Sequence, residues 1–136
     1  MATGMKVRAD DLARGVADIF AAAGVPVGAA HQVAEDLVAA DLEGVASHGL
    51  MLVPMYVERL RSGSVSCEVA GTVVSDRQSA VVIDAGNVLG QLTARQAVEL
   101  AADHAQQFGM ATVAVRNAFH FGTAGRYARM LADRGC

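Results

Sequence analysis

Few side chains in this chain can carry chemistry. The four histidines come first, because imidazole titrates near neutral pH and moves a proton in either direction. They are not equivalent. His31 stands beside Gln32 and Glu35, and His104 beside Asp103, each inside a stretch of helical periodicity, so both are expected to face solvent. His48 falls in Gly44-Val45-Ala46-Ser47-His48-Gly49-Leu50, at a helix start. Two readings stay open there. Ser47 is a helix N-cap that His48 simply follows, or the Ser47 hydroxyl and the His48 imidazole form a donor–acceptor pair at the positive end of a helix. His120 falls in Arg116-Asn117-Ala118-Phe119-His120-Phe121-Gly122-Thr123, directly after an apolar, β-branched run. Ligands gather at the ends of strands in an α/β layer. A general acid/base is therefore preferred here over a histidine merely packed between two phenylalanines. Behind it, Gly122-Thr123-Ala124-Gly125 offers backbone N–H groups to a phosphate at the next helix start, a pattern shared by many helices.

Other chemistries lack their residues. The histidines are not paired at i, i+4, and there is no HExxH and no carboxylate cluster, so no metal is expected. GxSxG, GxxxxGK and GxGxxG are all absent, which removes the serine hydrolase, P-loop and Rossmann readings. The two cysteines, Cys67 and Cys136, form neither a metal spacing nor a disulfide framework, and a reducing cytoplasm is the expected location. Eleven Lys and Arg are scattered among fourteen acids for a net charge of −3, so no basic stripe exists to neutralise nucleic-acid phosphates. The longest strongly apolar run, Ile19 to Ala30, is broken by Gly24 and Pro26 and is too short to span a bilayer. The opening MATGMKVRADD has no secretory-signal character.

The positioning elements follow from periodicity. With 136 residues, 53% hydrophobic and only 4% aromatic, the core must be built from small and medium side chains at close helix contacts. Leu12, Val16, Ile19, Phe20 and Ala23 mark a first helix, begun by Asp10 and Asp11 and closed by Gly24. A second is predicted from about Gly28 to Leu42, with Ala30, Val33, Ala34, Leu37 and Val38 facing inward. A third carries Leu50, Val53, Tyr56, Val57 and Leu60, with a kink or a late start at Pro54, and ends at Ser62-Gly63-Ser64. Short β-rich runs follow at 72–74 and 80–83, separated by a polar turn. An alanine-rich helix then runs to Gly109, a buried strand occupies 111–115, and a last helix 125–134. The fold class expected is α/β: a helical region over 1–65, then over 66–136 the first part of an α/β domain with a right-handed crossover. With at most three short strands, the sheet is small and the chain reads as a cut through a larger domain.

Several motifs together resemble one family. Asp41-Leu42-Glu43-Gly44-Val45-Ala46-Ser47-His48-Gly49-Leu50, with Pro54, Tyr56, Arg59, Leu60 and Gly63, is similar to the N-terminal signature of the malate/L-lactate dehydrogenase-like oxidoreductases. Asp84-Ala85-Gly86-Asn87, Gly90-Gln91, Arg116-Asn117 and His120-Phe121-Gly122 look like that family's later landmarks, in the same order. The family includes ureidoglycolate and sulfolactate dehydrogenases and cyclic-imine carboxylate reductases, and its fold is not a Rossmann domain.

The resemblance implies hydride transfer between NAD or NADP and a 2-oxo or 2-imino acid, in a homodimer whose sites draw on both subunits. It implies that His120 is the general acid/base, that His48 and Ser47 line the nicotinamide and substrate site, and that Tyr56 lies near the substrate. Gly122 and Thr123 would approach the cofactor. Members are more than twice as long, and much of their cofactor-binding segment follows the last residue here. The alternative to an enzyme is therefore a non-catalytic, truncated remnant that serves as an association module. One position departs from the pattern: the family's arginine four residues after the Ser-His-Gly histidine, which holds the substrate carboxylate, is Leu52 here. Either the substrate lacks that carboxylate, or another cation holds it, or Leu52 packs into the core and the site is lost.

Overall fold

Two antiparallel helices open the fold. In the computed structural model, which describes residues 5–136, α1 spans Ala9–Ala22 and α2 spans Val27–Leu42. Their seam is made of Val16, Ala17 and Phe20 against Ala30, Val33, Ala34 and Leu37, all buried. The alanines let the backbones approach closely enough for Phe20 to be fully enclosed. Pro26 caps α2 from outside, where its missing N–H costs nothing. Ile19, expected inside, is 47% exposed, because the seam runs along the Val16–Phe20 side of the helix.

The chain then makes two 3-10 turns, Ala46–His48 and Leu50–Leu52, before α3 (Val53–Arg61). Pro54 sits in the first turn of α3, so the proline marks a late start and not a kink. Ser47 accordingly lies within a 3-10 turn, and no side-chain cap bond forms there. The geometry of the turns is enforced by Asp41, whose carboxylate accepts the Leu50 N–H at 3.0 Å. A side chain at Gly49 would collide with that carboxylate.

Strands β1 (Thr72–Arg77) and β2 (Ala80–Asp84) pair antiparallel, with a register shift between Val73 and Ser75. Helix α4 (Gly90–Phe108) crosses over to β3 (Thr112–Arg116), which pairs parallel to β2 with Ala80 opposite Thr112 and Asp84 opposite Arg116. Gly109, at φ +84°, reverses the chain at the end of α4, a backbone state that other residues enter at a cost. Helix α5 spans Ala124–Asp133. The sheet order is β1-β2-β3, and the fold is mixed α/β, as the sequence indicates.

Two expectations need correction. β3 is not a buried strand: its residues alternate between exposed and half-buried, because it lies at an edge of the sheet and α4 and α5 pack on one of its faces only. On that face Val113 and Val115 look into an apolar groove of about 460 Å³ between α4, β3 and α5. Nor is His104 a solvent-facing residue, since only 15% of its side chain is exposed. Its Nδ1 contacts the main-chain oxygen of Gln78 and its Nε2 lies 3.6 Å from Asp76, tying α4 to the β1–β2 turn.

The core joins the helices to the start of α4. Tyr56 and Leu60 from α3, together with Val88, Leu89 and Leu92, pack on the α1–α2 seam, with Phe119 partly buried against them. Asp36 is a buried acid that periodicity did not single out. Arg95 on α4 meets it at 2.5 Å through one nitrogen and 3.3 Å through another. Arg126 on α5 lies against the same carboxylate at ion-pair range, off the line of a hydrogen bond.

Candidate active site

The strand ends present His120. At the end of β2, Asp84 accepts from the Gly86 N–H at 3.0 Å, from Asn117 Nδ2 at 3.0 and 3.1 Å, and from Arg116 Nε at 2.9 Å. Backbone bonds from Ala85 N–H to Arg116 O and from Asn87 N–H to Asn117 O continue the tie. One carboxylate thus fixes both turns from which the 117–123 loop departs. The Asn117 side chain is the largest cause holding the Asp84 carboxyl below its ordinary range, followed by the Gly86 N–H. The sign follows: a carboxyl depressed in the folded state stabilises above its unfolded pKa, and that stabilisation is lost as pH falls through the folded value. Asp84→Asn should therefore flatten the acid side of the stability–pH curve. Thermal melts from neutral to acid pH check this, and parallel curves for the two proteins would refute it.

The loop is held down from the other side by α4. Gly90 packs so closely beneath it that a Cβ there would overlap the main-chain oxygens of Phe119 and His120. Glycine at this position is required by approach distance, independent of backbone angle.

Tyr56 joins the helical region to this loop. Its ring is fully buried, 6.1 Å from Phe20 and 5.2 Å edge-on from Phe119. Its hydroxyl lies 2.6 Å from His120 Nδ1 and 3.4 Å from the His120 main-chain oxygen, and receives a bond from Gln91 Nε2 at 2.9 Å. Burial pushes the phenol up to about 12, so it is neutral at ordinary pH. The His48 ring lies 5.3 Å from that of His120, and Ser47 Oγ is 3.0 Å from His48 Nδ1. Burial, and secondarily the neighbouring His48, lower the His120 pKa.

Of the residues singled out in the sequence, His120, His48, Ser47 and Tyr56 converge. Both Ser47–His48 readings are thereby informed: the donor–acceptor pair exists, within a 3-10 turn. Leu52 is half-buried and packs against the helical core. Gly122 faces the Gln91 amide, and Thr123 stands at the N-cap of α5 without a side-chain cap bond. Gln91 is fully buried and belongs to the site, yet in the sequence it figures only as a landmark of the resemblance. A lone glutamine at a helix start carries no signal of its own. Among the described residues no group of histidine, cysteine, aspartate and glutamate side chains is placed to hold a metal. Among the described residues no helix is long and apolar enough to cross a membrane.

A histidine at a strand end, bonded to a buried neutral tyrosine and beside a second histidine, is an arrangement that can pass a proton in either direction. The family model for malate/L-lactate dehydrogenase matches residues 7–136, and the chain belongs to that family. The malate dehydrogenase of Pyrococcus horikoshii is 36% identical over 131 residues, which are 96% of this chain and 36% of that protein. Its solved structure superposes with a TM-score of 0.92 over 96% of this chain and 38% of its own. The L-sulfolactate dehydrogenase of Methanocaldococcus jannaschii is 35% identical over 119 residues, 88% of this chain and 35% of that one. The structure of delta1-piperideine-2-carboxylate reductase from Pseudomonas syringae superposes at TM-score 0.87 with 28% identity, covering 97% of this chain and 40% of its own. The chain thus spans a little over a third of the length of these relatives.

Proposed function

We propose that this chain carries the proton-transfer centre of an NAD(P)H-dependent oxidoreductase that interconverts a 2-oxo acid, or a related carbonyl or imine compound, with its 2-hydroxy or amino counterpart. The observation that carries this reading is the Tyr56–His120 bond of 2.6 Å. It occupies Nδ1 and leaves Nε2 as the nitrogen free to exchange a proton with a substrate oxygen or nitrogen. Such a positioned imidazole acts as general acid in reduction and as general base in oxidation. His48 and Ser47 flank the approach to His120 and offer further polar contacts.

The residues present fit a nicotinamide cofactor. The first turn of α5 has no side-chain cap, and although the Arg126 N–H donates to the Thr123 main-chain oxygen, those of Ala124 and Gly125 can turn to an anion, while Gly122 keeps side-chain bulk away from that end. Gly122, Thr123 and His48 would hold the cofactor, which when bound supplies the hydride. The same reading takes the protein as a homodimer in a reducing cytoplasm, in keeping with two free cysteines.

Leu52 bears on the substrate. A leucine packed on the core offers neither charge nor donor to a carboxylate, whereas arginine grips one through a planar, bidentate pair. Its packing on the core is what the reading of a lost carboxylate site requires; the other two readings are a substrate that lacks a carboxylate at that place and a different cation that holds it. Both the function and this point are tested together by following NADH and NADPH oxidation with pyruvate and oxaloacetate, in a polypeptide that contains this chain. Turnover with either cofactor is expected, and Leu52→Arg should raise kcat/KM for these acids mainly by lowering KM. No turnover with any oxo or imino acid would refute the functional reading. Efficient wild-type turnover that Leu52→Arg weakens would refute only the argument from Leu52.

A further inference from the structure

Gln91 is the side chain in this site with no evident structural purpose. It is fully buried, and its Oε1 has no partner among the described residues. Burying half an amide unpaired is destabilising, and a methionine of similar volume would avoid it. The value of the residue therefore lies at its paired end, where Nε2 donates to Tyr56 Oη at 2.9 Å.

A phenol has one hydrogen to give and two lone pairs with which to receive. Gln91 fills one lone pair. The hydrogen then has two acceptors in reach, both on His120: Nδ1 at 2.6 Å and the main-chain oxygen at 3.4 Å. When the imidazole is neutral, the phenol donates to Nδ1. When it is protonated, Nδ1–H donates to the remaining lone pair and the phenol hydrogen turns to the carbonyl oxygen. An acceptor at position 91 would draw that hydrogen away and leave Nδ1 only the second of these arrangements.

We infer that Gln91 is a positioning residue: by donating to Tyr56 it reserves the phenol hydrogen for His120, so that Nδ1 keeps a partner in both charge states and Nε2 is the nitrogen that exchanges the proton. The inference deepens the reading of His120 as acid/base and rests on it. The titratable groups around His120 are Tyr56 on α3 and His48 in the first 3-10 turn; the buried Asp36 on α2 acts on Tyr56.

The test is a side-chain nitrogen NMR titration of this chain, labelled at histidine, with no substrate or cofactor present. In the wild type, neutral His120 is expected to hold its proton on Nε2, with Nδ1 a bare acceptor. Gln91→Met removes the competing donor and leaves Oη a better acceptor for Nδ1–H, so the His120 midpoint moves up while the melting temperature holds or rises. In a Tyr56→Phe background the same Gln91→Met change should no longer move His120, since the intermediary is gone. A pure packing effect would persist there. A wild-type Nδ1 that is protonated in the neutral ring overturns the proposal whether or not any variant folds. So does a His120 midpoint that Gln91→Met leaves in place, or moves equally in the Tyr56→Phe background. In a polypeptide that turns over, Gln91→Met should lower kcat about five- to tenfold, the worth of one neutral hydrogen bond, with KM unchanged. Absence of wild-type turnover would strike the functional reading and leave the NMR result standing.

Discussion

His120→Asn should lower kcat by about 10² to 10⁴-fold in a polypeptide that contains this chain and turns over, because that is what a positioned proton donor typically contributes. Asparagine keeps a polar side chain of similar reach, so the loop between Asn117 and Thr123 has no reason to move. Tyr56 loses its partner at Nδ1 but keeps the Gln91 donor and the main-chain oxygen at 3.4 Å. The change should therefore fall on kcat with little effect on fold, as circular dichroism and melting would show. A kcat within a few-fold of wild type would move the assignment to His48, whose ring is the nearest other imidazole at 5.3 Å.

Gly90→Ala should be as damaging by a different route. Its Cβ would overlap two main-chain oxygens, those of Phe119 and His120, and backbone cannot swing aside as a flexible side chain does. Overpacking of this kind costs about 1–3 kcal/mol. The gain in helix propensity from replacing glycine, at most about 1 kcal/mol, does not offset it. The loop must lift, and with it the imidazole; a displacement of about 1 Å at a reacting group costs on the order of 10²-fold in rate. Loss of both melting temperature and kcat is expected. A melting temperature and kcat at the wild-type level would show that the loop is not seated on α4 as described.

Periodicity carried the helices well. α2, predicted from about Gly28, starts at Val27, and all five of its expected inward residues are buried. β2 and the Gly109 stop were equally legible, since branching and glycine report local backbone preference, whereas β1 runs to Arg77, three residues past its expected end and into the stretch read as a polar turn. What failed were properties set by neighbours. Whether β3 is covered on one face or two depends on which helices pack against the sheet, and its own Val-rich composition is the same in either case. His104 reads as a surface residue because its partners, Gln78 and Asp76, come from the β1–β2 hairpin more than twenty residues away. In the site, His120 and His48 were marked by their loops, but Gln91 was not. Its importance comes from meeting Tyr56, thirty-five residues earlier in the chain, and no local pattern encodes that meeting.

The buried Asp36 gives the chain a way of registering the docking of α4 and α5. A hairpin of α1 and α2 can form as soon as those residues exist, through contacts close in sequence, and local contacts form fast. At that stage the Asp36 carboxylate is still hydrated and costs nothing. It loses water only when α4 and α5 close over it, and each of those helices brings one arginine to the same carboxylate. A compact form in which α5 has docked out of register would enclose the acid with one cation missing, and breaking a buried pair in this way costs about 3–5 kcal/mol. Hydrophobic contact between α5 and the groove beside it is permissive about register, since alanine and valine surfaces slide past one another. The carboxylate is not. A synthesis-order consequence follows: a helix made earlier holds the residue that judges the placement of a helix made later.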